Sequence, residues 1–273
     1  MKEFEMETIT SRQNQKVLDA VRLKDRKYRE EQGLFAFEGR KLFIEALEKK
    51  VPLVTVFCTD ERLAETAGAL KNAGSDAALI HVSDSVYEKL SEEKSPEGIF
   101  CIAKALDKIH KIATIYKADK MTGSRMLLER MQDPGNLGTV IRTARAFGLP
   151  ELILSDDCAD LYSKKTVRAS MGTLFAQPIT RVKDPVGSVK ALQNAGYKVY
   201  AAALREDAIA LPRLSGEDLQ RVCIVIGNEG NGISEELLAV CDGSVIIPMA
   251  PGTESLNAAA ASTVFLWELY RNQ

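Results

Sequence analysis

Three stretches of this 273-residue chain bring together the side chains that polar chemistry needs. The first, Gln132-Asp133-Pro134-Gly135-Asn136-Leu137-Gly138, leads into TVIRTARAFG, which supplies Arg142. Pro134 and Gly135 read as a turn, Asn136 as a helix N-cap and Gly148 as the helix end. At a helical 100° per residue, Leu137, Val140, Ile141, Ala144 and Phe147 fall within about 120° of arc, a core stripe, and Arg142 points away from it. The second stretch, Gly227-Asn228-Glu229-Gly230-Asn231-Gly232, follows the apolar run Val222 to Ile226. Its glycines permit positive φ and a close backbone approach to a ligand, and Glu229 is either a solvated turn acid or a polar anchor. The third runs from Ile246-Ile247-Pro248-Met249 through Ser255-Leu256-Asn257 into the alanines 258–261. Pro248 ends a strand, Ser255 suits an N-cap, and the alanines allow a helix to pack closely on backbone or ligand. The G-x-x-G-x-G spacing is not the dinucleotide G-x-G-x-x-G, and no G-x-x-x-x-G-K-[ST] loop is present, which disfavours the two usual nucleotide-binding modes.

Each of these stretches follows a predicted strand. From Arg125 onward strands are expected at 126–130, 151–154, 177–181, 198–203, 222–226 and 245–248, with helices at 137–147, 164–169, 186–194, 235–240 and 256–270. Strict alternation implies a parallel sheet covered by helices on both faces, which binds ligands beyond the carboxyl ends of its strands. The first part of the chain alternates less regularly: a helix over 12–29, then strands at 34–38, 51–58, 78–82 and 98–103 with helices at 41–48, 62–73 and 86–90. This predicts a small α/β domain over residues 1–105, a Lys-rich linker over 106–122 and a second domain over 123–273.

Composition narrows the class. Lys+Arg 36 against Asp+Glu 38, 45% hydrophobic and 27% charged residues describe a near-neutral globular chain. The first ten residues, MKEFEMETIT, have no hydrophobic run behind a basic start, so no signal peptide is expected, and no apolar stretch reaches the roughly 20 residues of a membrane helix. Cys58, Cys101, Cys158, Cys223 and Cys241 are scattered without a C-x-x-C pair, which argues against a disulfide framework or metal site and for reduced thiols in a cytoplasmic protein. His81 and His110 stand without a partner motif. Within 12–29, seven basic residues (Arg12, Lys16, Arg22, Lys24, Arg26, Lys27, Arg29) outnumber Asp19 and Asp25. Such a cluster reads first as a solvated helix face, and second as a patch for a phosphate backbone.

In combination the loops are far more specific than apart. NLGTVIRTARAFG, IVIGNEGNGIS and IIPMAPGTESLNAAAAS, in that order at strand-to-helix loops, closely resemble the three motifs of the SpoU family of RNA ribose methyltransferases in the SPOUT superfamily. The resemblance extends to RASMGTLF at 168–175 and to the N-terminal stretch from ITSRQNQKV, with Phe37-Glu38-Gly39, which is similar to that family's RNA-substrate domain. Arg145 stands where the family often has a small or acidic residue, and the four alanines replace a more mixed run.

The resemblance implies a C-terminal SPOUT domain with a parallel sheet and a trefoil knot, S-adenosylmethionine as cofactor, no metal, and a homodimer with its site at the subunit interface. It implies a cofactor cup of Leu204, Ile226, Gly227, Asn228, Gly230, Ile247, Met249, Ser255, Leu256 and Ala259, and catalytic roles for Asn136, Arg142, Glu229, Ser255 and Asn257. With the family reading, Arg12, Arg22, Lys24, Arg26, Lys27 and Arg29 become the expected RNA contacts. The expected reaction is methylation of a ribose 2′-hydroxyl, in ribosomal RNA before tRNA because the N-terminal domain is more similar to that of the rRNA-directed members. A base-directed SPOUT methyltransferase and a catalytically inactive RNA-binding homologue are the alternatives.

Overall fold

The computed structural model describes residues 7–106, 109–112, 122–214, 221–252 and 255–272. These form two compact units: residues up to Leu106 together with Tyr162–Phe175, and the remainder of the chain. The segment 162–175, which the sequence pattern assigns to the second domain, thus packs within the first unit.

In the first unit, strands β1 (Glu7–Ile9), β2 (Leu34–Glu38), β3 (Leu53–Cys58), β4 (Ala78–Val82) and β5 (Ile99–Lys104) form one sheet in the order β1-β4-β3-β5-β2. β1, β4 and β3 run parallel, and β5 is antiparallel to both β3 and β2. Alternation explains how β2 is covered on both faces. Ala36 joins the core of Val17, Ala20, Val86 and Leu90 from helices α1 (Gln15–Arg22) and α5 (Asp84–Leu90). Phe35 and Phe37 point the other way, Phe35 stacking on Tyr162 at 4.6 Å and Phe37 meeting Phe175 at 5.1 Å between ring centroids. Helices α3 (Arg40–Glu48) and α4 (Asp60–Asn72) complete the layer.

The helix expected over 12–29 is broken in two, with α2 at Arg26–Gln32. The Asp25 carboxylate accepts the Tyr28 amide at 2.8 Å and so starts a new helix. Arg29 supplies the other half of the reason: it is only 7% exposed and donates to the carbonyls of Leu23 and Lys24, at 2.6 and 2.8 Å, where the first helix ends.

The second unit holds an all-parallel sheet in the order β11-β13-β10-β12-β7-β8-β9-β6. Its strands are β6 (Ile109–Ile112), β7 (Arg125–Leu128), β8 (Leu152–Ser155), β9 (Ile179–Val182), β10 (Lys198–Ala202), β11 (Ile209–Ala210), β12 (Val222–Ile226) and β13 (Gly243–Ile246). Near-continuous apolar runs with every residue buried, as in β8 and β12, are what a sheet covered on both faces demands, and β7 and β9 are buried throughout as well. Helices α6 (Pro134–Ala146), α8 (Pro185–Asn194), α9 (Glu235–Leu238) and α10 (Ala258–Arg271) belong to this unit, whereas α7 (Lys164–Ala169) belongs to the first. The stretch expected as linker is in part β6, paired with β9; its residues 107–108 and 113–121 lie outside the described residues. β1, β6 and β11 carry no sequence signal because short edge strands need little apolar alternation.

Two cap expectations are corrected. Asp133, not Asn136, caps α6, accepting the Asn136 amide at 2.8 Å, because Pro134 suits the first helical position and moves the start forward. Asn257, not Ser255, caps α10, accepting the amides of Ala259 and Ala260 at 2.9 and 3.3 Å. The assignment of Arg29 to the α1–α2 junction has a measurable consequence. Arg29→Met is expected to lower unfolding free energy in urea by about 1–3 kcal/mol, since it orphans two carbonyls, while Lys27→Met changes it by less than about 0.5 kcal/mol.

Candidate functional site

The carboxyl ends of β13, β10, β12 and β7 lie side by side, so the loops that follow them meet in one place. After β7 comes the Gln132–Asn136 turn, after β12 the glycine loop, and after β13 the segment leading to Asn257. At their junction three side chains form a chain of hydrogen bonds. Asn136 Nδ2 donates to Glu229 Oε1 at 3.1 Å, and Asn257 Nδ2 donates to Asn136 Oδ1 at 3.1 Å. The Glu229 carboxylate also accepts the backbone amides of Gln132 (3.2 Å) and Asp133 (3.4 Å). Partial burial pushes the Glu229 carboxyl up, but donation from the Asn136 side chain and from the amides of Glu229, Gln132 and Asp133 outweighs it and holds the group below the usual carboxylate range. Glu229 is therefore an anion at neutral pH.

The glycine loop is held chiefly by Asn228. Asn228 Oδ1 accepts the amides of Gly230 and Asn231 at 2.9 and 3.0 Å, its Nδ2 donates to the Arg130 carbonyl at 2.7 Å, and its backbone pairs with Gly232. A Cβ at Gly227 would lie 2.3 Å from the Gly232 backbone, so only glycine closes this loop. At Gly230 the nearest atom to such a Cβ is Asn228 Oδ1 at 3.6 Å, an ordinary contact.

Beside the network, an apolar cleft of roughly 150 Å³ opens at the ends of β10 and β13. Leu204, Ile247, Met249, Ser255 and Leu256 line it, with Ala261 and Phe265. Among the described residues no carboxylate lines this cleft. Leu204 is 70% exposed and Leu256 39%, so two large apolar side chains face solvent at its mouth. Of the residues expected to hold a cofactor, Ile226, Gly227, Asn228, Gly230 and Ala259 stand outside the lining: Ile226 and Ala259 are buried, and Asn228 organises its own loop.

Arg142 lies on the exposed side of α6 and makes no hydrogen bond or ion pair with the described residues. The structure thus joins Asn136, Glu229 and Asn257, while Arg142 stands apart from them, and among the described residues no side-chain bond to Ser255 is formed. Sequence reasoning missed Glu129, a buried carboxylate just past β7 that accepts the Ser234 amide at 2.8 Å and hydroxyl at 2.6 Å, pinning the far end of the glycine loop. Its signal was an acid directly after an apolar strand. The five cysteines are free, and burial pushes the Cys223 thiol up to about 12. Among the described residues no His/Cys/Asp/Glu group could hold a metal ion.

In the first unit the basic cluster is balanced by acids. Arg22 lies 4.1 Å over the Tyr28 ring and 3.7 Å from Asp19, Lys24 pairs with Glu92 at 2.7 Å, Arg26 with Glu30 at 3.3 Å and Lys27 with Glu31 at 3.9 Å. Arg12 offers its carbonyl to Lys89. Arg29, locked into the helix junction, is removed from the expected phosphate contacts.

Comparison with known proteins agrees with this architecture. Residues 123–267 match the SpoU rRNA Methylase family, and residues 14–101 match the MRM3-like substrate binding domain. The chain is 31% identical to the 23S rRNA (guanosine(2553)-2'-O)-methyltransferase RlmP of Bacillus subtilis, over 97% of this chain and 99% of that protein. It is also 31% identical to the 23S rRNA (uridine(2479)-2'-O)-methyltransferase of Streptomyces viridochromogenes, over 92% of this chain and 87% of that protein. The AdoMet-bound rRNA methyltransferase from Sinorhizobium meliloti superposes with a TM-score of 0.82 at 28% identity, covering 97% of this chain and 98% of that one.

The direction of the hydrogen bonds makes the network testable. Because the folded pKa of Glu229 is depressed, its contribution to stability is fully present above its unfolded value of about 4.3 and is lost as pH falls through the folded value. Asn136→Asp replaces a donor to Glu229 by a like charge, which raises that pKa. We expect Asn136→Asp to destabilise by about 1–2 kcal/mol at pH 7 and by more than Asn136→Ala. The gap should close below about pH 4; chemical denaturation across pH measures it.

Proposed function

The chain belongs to the SpoU rRNA methylase family, and from that premise we propose that it transfers the methyl group of S-adenosylmethionine to a ribose 2′-hydroxyl of ribosomal RNA. The observation that carries the reading is the Glu229–Asn136–Asn257 network set beside an apolar cleft. The cleft suits this cofactor. Leu204, Ile247, Met249 and Leu256 would offer apolar walls to the cofactor's adenosine and alkyl chain, with strand-end backbone groups available for polar contacts. Ile226, Gly227, Asn228, Gly230 and Ala259 support the walls from behind in this reading.

When bound, S-adenosylmethionine supplies a methyl group already activated by a sulfonium. What remains for the protein is to position the hydroxyl and to handle its proton. Arg142 is exposed and uncommitted, and a guanidinium is a poor base, so the hydroxyl proton would leave to solvent water. The role of Arg142 is to hold the neighbouring phosphate and stabilise the developing alkoxide, with Asn136 fixed by Glu229 and Asn257 at the other side of the target and Ser255 adding a hydroxyl. Arg12, Arg22, Lys24, Arg26 and Lys27 are the proposed contacts of the substrate domain with RNA.

The reading includes a homodimer. Phe147 of the α6 end, Trp267 and Tyr270 form a triangle with centroids 5.5–6.0 Å apart, and both Trp267 and Tyr270 are 48% exposed. An aromatic patch at the end of α6, the helix that carries the uncommitted Arg142, suits a second copy whose site Arg142 completes. It also includes a trefoil knot, supported by the insertion of β13, late in the chain, between β10 and β11. Free thiols fit a cytoplasmic setting.

Two measurements test the proposal. Leu204→Ala with Leu256→Ala removes walls that the free protein leaves exposed, so S-adenosylmethionine affinity by calorimetry should fall about tenfold or more with an unchanged Tm. Arg142→Lys keeps the charge and loses the planar fork; turnover on ribosomal RNA should drop about 100-fold or more while cofactor affinity holds. Near-normal turnover in both Arg142→Lys and Arg142→Ala overturns its role, and a methyl mapped to a base moves the chain to a base-directed reaction.

A further inference from the structure

The acidic stretch Ser91–Gly98 (SEEKSPEG) lies across a cavity of about 700 Å³ in the first unit. Both its ends are anchored. At the start, the Ser91 hydroxyl and the Glu92 amide donate to Glu38, a carboxylate at the end of β2. At the finish, Glu97 accepts the Arg40 amide at 2.6 Å, its carbonyl accepts Arg62 Nε at 3.2 Å, and Gly98 turns the chain with φ +77°. Between the anchors, two carboxylates reach for cations from two separate parts of the chain. Glu92 lies 2.7 Å from Lys24 and 3.8 Å from Lys164, and Glu93 pairs with Arg168.

Of the three cations, Lys164 is the most firmly placed. Lys164 is half-buried, donates to the Leu90 carbonyl at 3.2 Å and sits 5.1 Å over the Phe100 ring. Burial pushes its ammonium below the usual lysine value, with Glu38 and Glu92 opposing. Arg168, by contrast, is exposed and pairs only through its tip, and Arg168 and Lys41 stand on the wall of the cavity beneath the stretch. Exposed ion pairs of this kind are weak and readily exchanged. Two adjacent carboxylates spanning a row of cations present what a stretch of phosphodiester presents: regularly spaced anions without a fixed fork.

We propose that Lys24, Lys164 and Arg168 form a phosphate-binding site for the RNA backbone, which the Glu92–Glu93 stretch occupies until RNA displaces it. The site rests on the rRNA methyltransferase reading for the identity of its ligand. It adds to that reading a contact outside the basic helices, on the RASMGTLF segment that packs within the substrate unit. Displacement needs no unfolding: Glu38 keeps its 3.6 Å pairing with Lys164, and the stretch is released between Ser91 and Gly98.

The test is binding of in vitro transcribed 23S rRNA to the full chain by filter retention across salt, with Tm followed in parallel. Glu92→Gln with Glu93→Gln removes the competing anions and is expected to tighten binding about 5–10-fold at 0.15 M salt. Lys24→Gln with Arg168→Gln should weaken binding and reduce the salt slope by roughly 0.7–0.9 for each phosphate no longer neutralised. The decisive combination carries all four substitutions, in which the gain from the Gln pair should vanish. A control pair, Glu61→Gln with Asp76→Asn, makes the same charge change elsewhere on the unit and should leave affinity within about twofold. No gain in the Glu92, Glu93 variant, a gain that persists without Lys24 and Arg168, or an equal gain in the control overturns the proposal while the methyltransferase reading stands. Wild-type protein that fails to retain this RNA overturns the rRNA reading itself, and the site with it.

Discussion

The candidate site depends on one amide. Asn136 receives a hydrogen bond on its oxygen from Asn257 and gives one from its nitrogen to Glu229, so a single side chain ties the loops after β7, β12 and β13. Its orientation is dictated from both ends. The amides of Ala259 and Ala260 at the start of α10 only donate, so Asn257 must turn its oxygen to them and its nitrogen outward. The Glu229 carboxylate at the other end only accepts. Between a helix terminus and an anion, two asparagines have one arrangement in which every contact is favourable. Neither aspartate nor a hydroxyl reproduces it, because the relay requires a donor and an acceptor on the same planar group.

The rest of the second unit makes that relay possible. A parallel sheet delivers all its strand ends to one edge, and the order β13-β10-β12-β7 places chain segments up to 121 residues apart within hydrogen-bonding distance. Each loop is separately braced: Asp133 caps α6, Asn228 and Gly232 close the glycine loop, and Glu129 holds Ser234 at its exit. Polar groups that stabilise the loops are thus spent on backbone, leaving the apolar walls of the cleft and the Arg142 guanidinium uncommitted.

This division explains what could be read from the chain. Alternating apolar runs separated by Gly, Pro and Asn reveal the parallel sheet and locate its active edge, because burial on both faces leaves a strong local pattern. The partners within that edge are invisible to pattern: nothing near Asn136 says that its bonds go to Glu229 and Asn257, and its neighbour Asp133 competes for the role of cap. The same limit governs the first unit. Seven cations in 12–29 read as one helical face, yet Arg29 is consumed in closing a helix whose end depends on Asp25. Tyr162 and Phe175 carry no mark of which sheet they cover; that follows only from the two phenylalanines of β2 needing a second layer.

Charge balance, finally, follows from the substrate. A chain with Lys+Arg 36 and Asp+Glu 38 meets a polyanion without a net positive field to draw it in. Every cation that approaches the surface along α1, α2 and α7 with a described pair has its own carboxylate, and exposed pairs of that kind add little stability. Their value lies in selection. A bare cationic face gains affinity for any RNA through counterion release, whereas a face whose charges are already satisfied gains only where the incoming phosphates match the positions of the acids they displace. For a member of the SpoU rRNA methylase family, such neutrality would exchange affinity for selectivity among phosphate geometries.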